Sequence, residues 1–110
     1  MKNNYNPSKN LIKPQSQPVS SSVERFAALV DDLVKLYSAK NKAYGNSFST
    51  SVQSYGLIAA LTRISDKFRR LENLVLHPSV EVGDERLTDT LRDLASYCIM
   101  TIIEVEKQKD

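Results

Sequence analysis

Three apolar stripes at helical spacing constrain the fold of this chain more than any other feature. The first is Val23, Phe26, Ala27, Val30, Leu33, Val34 and Tyr37. The second, Leu57, Leu61, Ile64, Phe68, Leu71 and Val75, alternates steps of four and three. The third is Leu87, Leu91, Leu94, Cys98 and Val105. Such steps put side chains on one face of an α-helix, whereas a strand would alternate at every residue. The reading is therefore all-α, a helical bundle of three main helices.

Local signals set the expected boundaries. Ser21 and Glu24 form an S-x-x-E capping box, so the first helix should start near Ser21. It should end near Lys40–Lys42, with Gly45 as the stop signal. Asp31 and Lys35 are spaced to pair on its polar side. Residues 43–53 are rich in Ser, Asn and Gly and read as a loop. The second helix spans about Ser54 to Leu76 and stops at His77-Pro78, because proline disfavours helix in the residue before it. The third spans about Asp84 to Lys107, and Asp84 and Glu85 suit its positive end.

In the second half of that third helix Ile99, Met100, Ile102 and Ile103 spread apolar surface over most of the circumference. A helix apolar nearly all round is buried on several sides. Three helices from 110 residues hardly achieve that, so a homo-oligomer, at least a dimer, is expected to complete the bundle. A monomer with its N-terminal arm laid over the surface is the alternative. That arm, residues 1–20, is rich in Asn, Ser, Gln and Pro and reads as flexible. Residues 21–110 form the folded domain.

Charge narrows the partners. The net +2 comes from Lys2, Lys9 and Lys13 in the arm, while 12 basic and 13 acidic residues nearly cancel in the rest. That balance does not point to a nucleic-acid polymer. No apolar stretch is long enough to span a bilayer, and the N-terminus lacks the apolar core of a signal peptide, so a cytoplasmic location is expected. Cys98, the one cysteine, sits in an apolar run and reads as a packed small hydrophobe. His77 reads as an incidental loop residue.

The residues suited to chemistry are polar ones at helical spacing. Asp89 and Asp93 stand four apart and share a face, where like charges repel unless something positive faces them. A divalent cation such as Mg²⁺ would serve, and so would basic side chains. Arg63, Asp66, Lys67 and Arg70 form a polar stripe on the second helix, either a solvated face or a phosphate-binding one. Lys40 and Lys42 could reach phosphates, and just after them Tyr44 or Phe48 could stack on a base while Gly45 permits a tight turn. Capping the bundle end is the alternative role for Tyr44 and Phe48.

Three motifs in this order, K-x-Y-G-x-S-F, R-I-S-D-K-x-x-R-L and D-T-L-x-D-L-A-x-Y, resemble the nucleotide modification associated domain of the first type. That is a small all-α family of bacteria and bacteriophages, and the resemblance covers about residues 24–106. It implies a nucleotide or nucleotide-derived small molecule as partner and adds Ser47 and Tyr97 to the candidate binding residues. The helical layout is also distantly similar to MazG-type all-α nucleotide pyrophosphohydrolases. Those use an E-x-x-E motif around Mg²⁺, which the first helix here lacks.

The functional expectation is a nucleotide-binding helical protein. If it is an enzyme, it is a Mg²⁺-dependent hydrolase of a nucleoside triphosphate or modified nucleotide. In that reading Asp66, Asp89 and Asp93 hold metal. Lys40, Lys42, Tyr44, Gly45, Ser47, Phe48, Arg63, Lys67, Arg70 and Tyr97 hold the nucleotide. Two alternatives stand beside it. One is a non-catalytic protein that sequesters a signalling nucleotide in a phage–host conflict; the other is a helical adaptor that binds a protein partner.

Overall fold

The computed structural model describes residues 19–78 and 83–109. The arm assigned to residues 1–20 lies outside them except for its last two positions. The side chains of Tyr44, Asp84 and Glu85 lie outside them as well. Among the described residues there are four α-helices and no strand: α1 Val19–Tyr44, α2 Ser47–Tyr55, α3 Leu57–Leu76 and α4 Gly83–Gln108.

The first helix follows its periodic signal, with one change at its start. It begins at Val19, so Ser21 and Glu24 lie inside the helix and do not open it. The Asp31–Lys35 pair forms at 3.2 Å. Gly45 ends the helix as expected: its N–H donates to the Asn41 carbonyl at 2.9 Å and its φ is 70°. A side chain there would meet the left-handed penalty of about 1–2 kcal/mol.

The expected loop over residues 43–53 is a helix over most of its length. Gly45 and Asn46 are its whole break, and α2 follows at once. Serine-rich sequence is an indifferent helix former, but tertiary burial overrides propensity in a short segment. Ser49 and Val52, three apart, are both buried and anchor α2 on the molecule. The second helix expected from the sequence therefore starts later, at Leu57, after a one-residue break at Gly56. That glycine has φ 83° and ψ −174°, and its N–H donates to the Val52 carbonyl at 2.7 Å. At the far end His77 closes α3 by donating to the Asn73 carbonyl at 2.9 Å.

α3 and α4 are the principal packed pair, α2 packs on α3, and α1 touches α4 lightly. The interior is small. Val52 and Ala60 are the buried hydrophobic residues among those described, joined by Ser49, Thr90 and Glu104. Thr90 satisfies its hydroxyl by donating to the Arg86 carbonyl at 2.8 Å.

The expected seams are rotated away from their neighbours. On α3 the inward side carries Ala60, Ile64, Lys67, Leu71 and Leu74, while Leu57, Leu61, Phe68 and Val75 stay exposed. On α4 Leu87, Leu94 and Val105 are half-buried, but Leu91 and Cys98 are exposed, against their assignment to the core stripe. The cause is geometric: each helix turns toward its neighbour a side offset from the centre of its apolar stripe.

Candidate functional site

One face of α4 places Tyr97 and Met100 between charged residues. Asp93, Tyr97, Met100, Glu104 and Lys107 follow each other at steps of four and three, so all five look the same way. They border a cleft of about 350 Å³. The opposite wall is the C-terminal end of α1, with Tyr37, Lys40 and Asn41; its end is closed by Gly45, Asn46 and the first turn of α2. The left-handed Gly45 makes this possible. It reverses the chain tightly enough for α2 to start beside the helix that has just ended.

Two acid–lysine groups frame the cleft. At one end Asp93 pairs with Lys67 of α3 at 3.3 Å and lies 3.8 Å from the Lys40 ammonium of α1. At the other, Lys107 donates to Glu104 at 3.0 Å and to the Ser49 hydroxyl of α2 at 3.2 Å. Gln53 donates to that same hydroxyl at 3.3 Å. The Glu104 side chain is 6% exposed, so one wall of the cleft holds a buried carboxylate tied to a cation. The two acids are eleven residues apart on α4, about 16 Å along the helix.

Between these ends Phe48 and Tyr97 meet with ring centroids 5.5 Å apart and planes tilted by 55°. This is an ordinary attractive aromatic geometry. It presents apolar surface to the cleft between two polar ends. The first turn of α2 also borders the cleft, and no side chain caps it. Its first backbone N–H groups have no partner inside the helix.

The structure sorts the residues named from the sequence. Lys40, Gly45, Ser47, Phe48, Asp93 and Tyr97 line the cleft together. Lys67 stands behind Asp93. Lys42, Arg63, Asp66 and Arg70 are exposed and do not line it. Asp89 does not join Asp93: its side chain is 68% exposed and pairs with Arg92 of its own helix at 3.3 Å. The face shared by Asp89 and Asp93 is thus split, one carboxylate turned to solvent and one to lysines.

Among the described residues of one chain, the donor set expected for Mg²⁺ is not assembled. Asp93 has a lysine at each carboxylate oxygen, and Asp66, Asp89 and Asp93 do not converge as a three-ligand group. A metal at Asp93 would meet the ammonium groups of Lys67 and Lys40.

Sequence reading missed Glu104, Lys107, Ser49 and Tyr37. The signal for the first two was present, since the polar positions continue Asp93 and Tyr97 at the same spacing. Glu104 was masked by the apolar run around it, "CIMTIIEV", and Lys107 by the charged end of the chain that follows. Ser49 was hidden inside the segment read as loop.

Compared with known proteins, residues 40–105 match the family model described as nucleotide modification associated domain 1. No curated protein and no solved structure matches the chain. The matched segment begins at the first cleft lysine, Lys40, and takes in Phe48, Tyr97 and both acids of the cleft.

Proposed function

Since the chain belongs to the nucleotide modification associated domain 1 family, we propose that the cleft binds a nucleotide or a nucleotide-derived small molecule. One observation carries the reading: cationic, aromatic and carboxylate groups line the same cleft of about 350 Å³. That volume falls at the small end of the range for small-molecule sites.

The parts divide by chemistry. The Phe48–Tyr97 surface takes the base, because stacking on an aromatic ring suits any base. Lys40 takes phosphate oxygens: its side chain is 56% exposed and stands farther from Asp93 than Lys67 does. The uncapped first turn of α2 adds backbone N–H donors and the positive end of a helix dipole. Asp93 and Glu104 position the lysines.

The arrangement favours binding over turnover. The acid nearest the phosphate-facing lysine is itself paired with two ammonium groups, and among the described residues both carboxylates that line the cleft are held by lysines. Sequestration of a nucleotide is therefore preferred to hydrolysis.

The test is a panel of nucleoside mono-, di- and triphosphates and cyclic dinucleotides, titrated by calorimetry with and without Mg²⁺ and followed for product. At least one nucleotide is expected to bind without turnover. Lys40→Met should weaken it about tenfold, and Phe48→Ala by a similar factor. Product formed only with Mg²⁺ would replace this reading with the hydrolytic one. Binding that neither substitution disturbs would move the site elsewhere.

A further inference from the structure

Of the basic stripe on α3, only the middle member touches the residues of the cleft. Lys67 reaches Asp93, while Arg63 and Arg70 stand one turn to either side of it, both exposed. At about 100° per residue, Arg63 is turned from Lys67 by about 40° and Arg70 by about 60°, in the same sense. All three therefore occupy one side of α3, with the arginines nearer solvent. Asp66 is turned about 100° from Lys67, past both arginines. Among the described residues neither arginine pairs with a carboxylate.

The direction of the helices decides which arginine lies beyond the cleft. Residues 77–82 are all that separate α3 from α4, and these two form the principal packed pair. Helices joined by so short a connection lie antiparallel. The Lys67–Asp93 pair fixes their register, since Lys67 lies nine residues before the end of α3 and Asp93 ten after the start of α4. Arg70 is three residues nearer the connection, so it stands past Asp93 on the side away from Tyr97. Arg63 lies the opposite way, level with Tyr97. Along the helix axes, Tyr97 to Asp93 is about 6 Å, and Lys67 to Arg70 continues that line for about 4.5 Å more.

We propose that the ligand of the cleft is a nucleoside di- or triphosphate whose terminal phosphate is held outside the cleft by Arg70, an inference that rests on the nucleotide reading above. With the base on Phe48 and Tyr97, the first phosphate lies at Lys40, beside the Lys67–Asp93 pair. Further phosphates continue away from the aromatic pair, along the side of α3 that presents Arg70. Lys40 and Lys67 against Asp93 leave a surplus of one positive charge. Asp89 does not reduce it, because Arg92 engages that carboxylate. Arg70 raises the surplus to two where the added phosphates bring more negative charge. A guanidinium also presents paired N–H donors that match two oxygens of one phosphate.

The experiment titrates the mono-, di- and triphosphate of the best-binding base into the full chain by calorimetry, in EDTA at low salt. Wild type, Arg70→Met and Arg63→Met are compared. The triphosphate is expected to bind at least about tenfold more tightly than the monophosphate. Arg70→Met should reduce that ratio to about threefold and leave monophosphate affinity within about twofold. Arg63→Met should leave the ratio above about fivefold. Equal affinity for mono- and triphosphate, both weakened by Lys40→Met, overturns the proposal while the cleft reading stands. So does a tenfold ratio that survives Arg70→Met, or one that Arg63→Met abolishes. If no nucleotide binds, the cleft reading falls and the proposal with it. Arg70 is exposed, so its variants should fold; Arg70→Gln takes the place of methionine if that substitution disturbs the helix.

Discussion

Replacing Asp93 by asparagine keeps the shape of the side chain and removes its charge, and the structure assigns opposite signs to the two consequences. Stability should fall. The Lys67 and Asp93 side chains are 27% and 31% exposed, and their charged atoms are 3.3 Å apart. That places the pair between an exposed one, worth about 0.2–1 kcal/mol, and a fully buried one, whose rupture costs about 3–5 kcal/mol. A loss of about 1–2 kcal/mol follows, because asparagine retains one hydrogen bond and Lys40 at 3.8 Å is largely solvated. For a domain of this size the thermal midpoint should drop by about 5–15 °C. Affinity for a phosphorylated ligand should rise. The carboxylate competes with phosphate for both ammonium groups, and at about 6 Å in a half-solvated cleft that like-charge repulsion is worth about 1 kcal/mol. Removing it predicts roughly fivefold tighter binding at low salt, with the gain fading as salt is added. Thermal unfolding by circular dichroism measures the first effect, and titration calorimetry with the best nucleotide of the panel measures the second. An unchanged midpoint would mean that the ion pair does not hold α3 to α4. A folded variant that has lost binding tenfold would show that Asp93 touches the ligand, directly or through a cation, and would refute its role as a partner of the lysines.

Two further predictions concern the scaffold. Gly56 has φ 83° and ψ −174°, a region that is essentially glycine's alone, and a Cβ there meets nothing within 4 Å. Gly56→Ala should therefore lose about 1–3 kcal/mol from backbone strain alone, read by denaturant unfolding; a neutral result would mean that the α2–α3 break relaxes freely. Val52, 2% exposed, is the largest fully buried side chain among the described residues, and Val52→Ala should cost about 1.5–2.5 kcal/mol in the same assay. A loss below about 0.5 kcal/mol would show that α2 is not anchored through it.

Periodicity alone was enough for the long helices, because an amphipathic stripe of about 15–25 residues leaves a strong signal at 3.6 residues per turn. Gly45 and His77-Pro78 marked two ends by backbone chemistry; α3 stops at Leu76 as expected, and α1 runs to Tyr44, past the expected Lys40–Lys42, before Gly45 stops it. The short helix α2 was not legible. Its serines and threonines are neutral in propensity, and what holds it is the burial of Ser49 and Val52 against other helices. The cleft was half legible. Lys40, Phe48 and Asp93 could be named from residue type and spacing and Tyr97 from the family resemblance, whereas Glu104 lay hidden in an apolar run and Lys107 in the charged C-terminal end.

Residue spacing and the fixed helical repeat are enough to say which side chains share a helix face, and no neighbour is needed for that. Which face meets which neighbour was settled by the packing of the helices. Asp89 and Asp93 are one turn apart and chemically identical, yet one faces solvent and the other two lysines. The rotation of α4 about its own axis separates them. That rotation is set by the joint packing of α1, α2 and α3, a property of the assembled helices that the residue pattern of α4 does not contain.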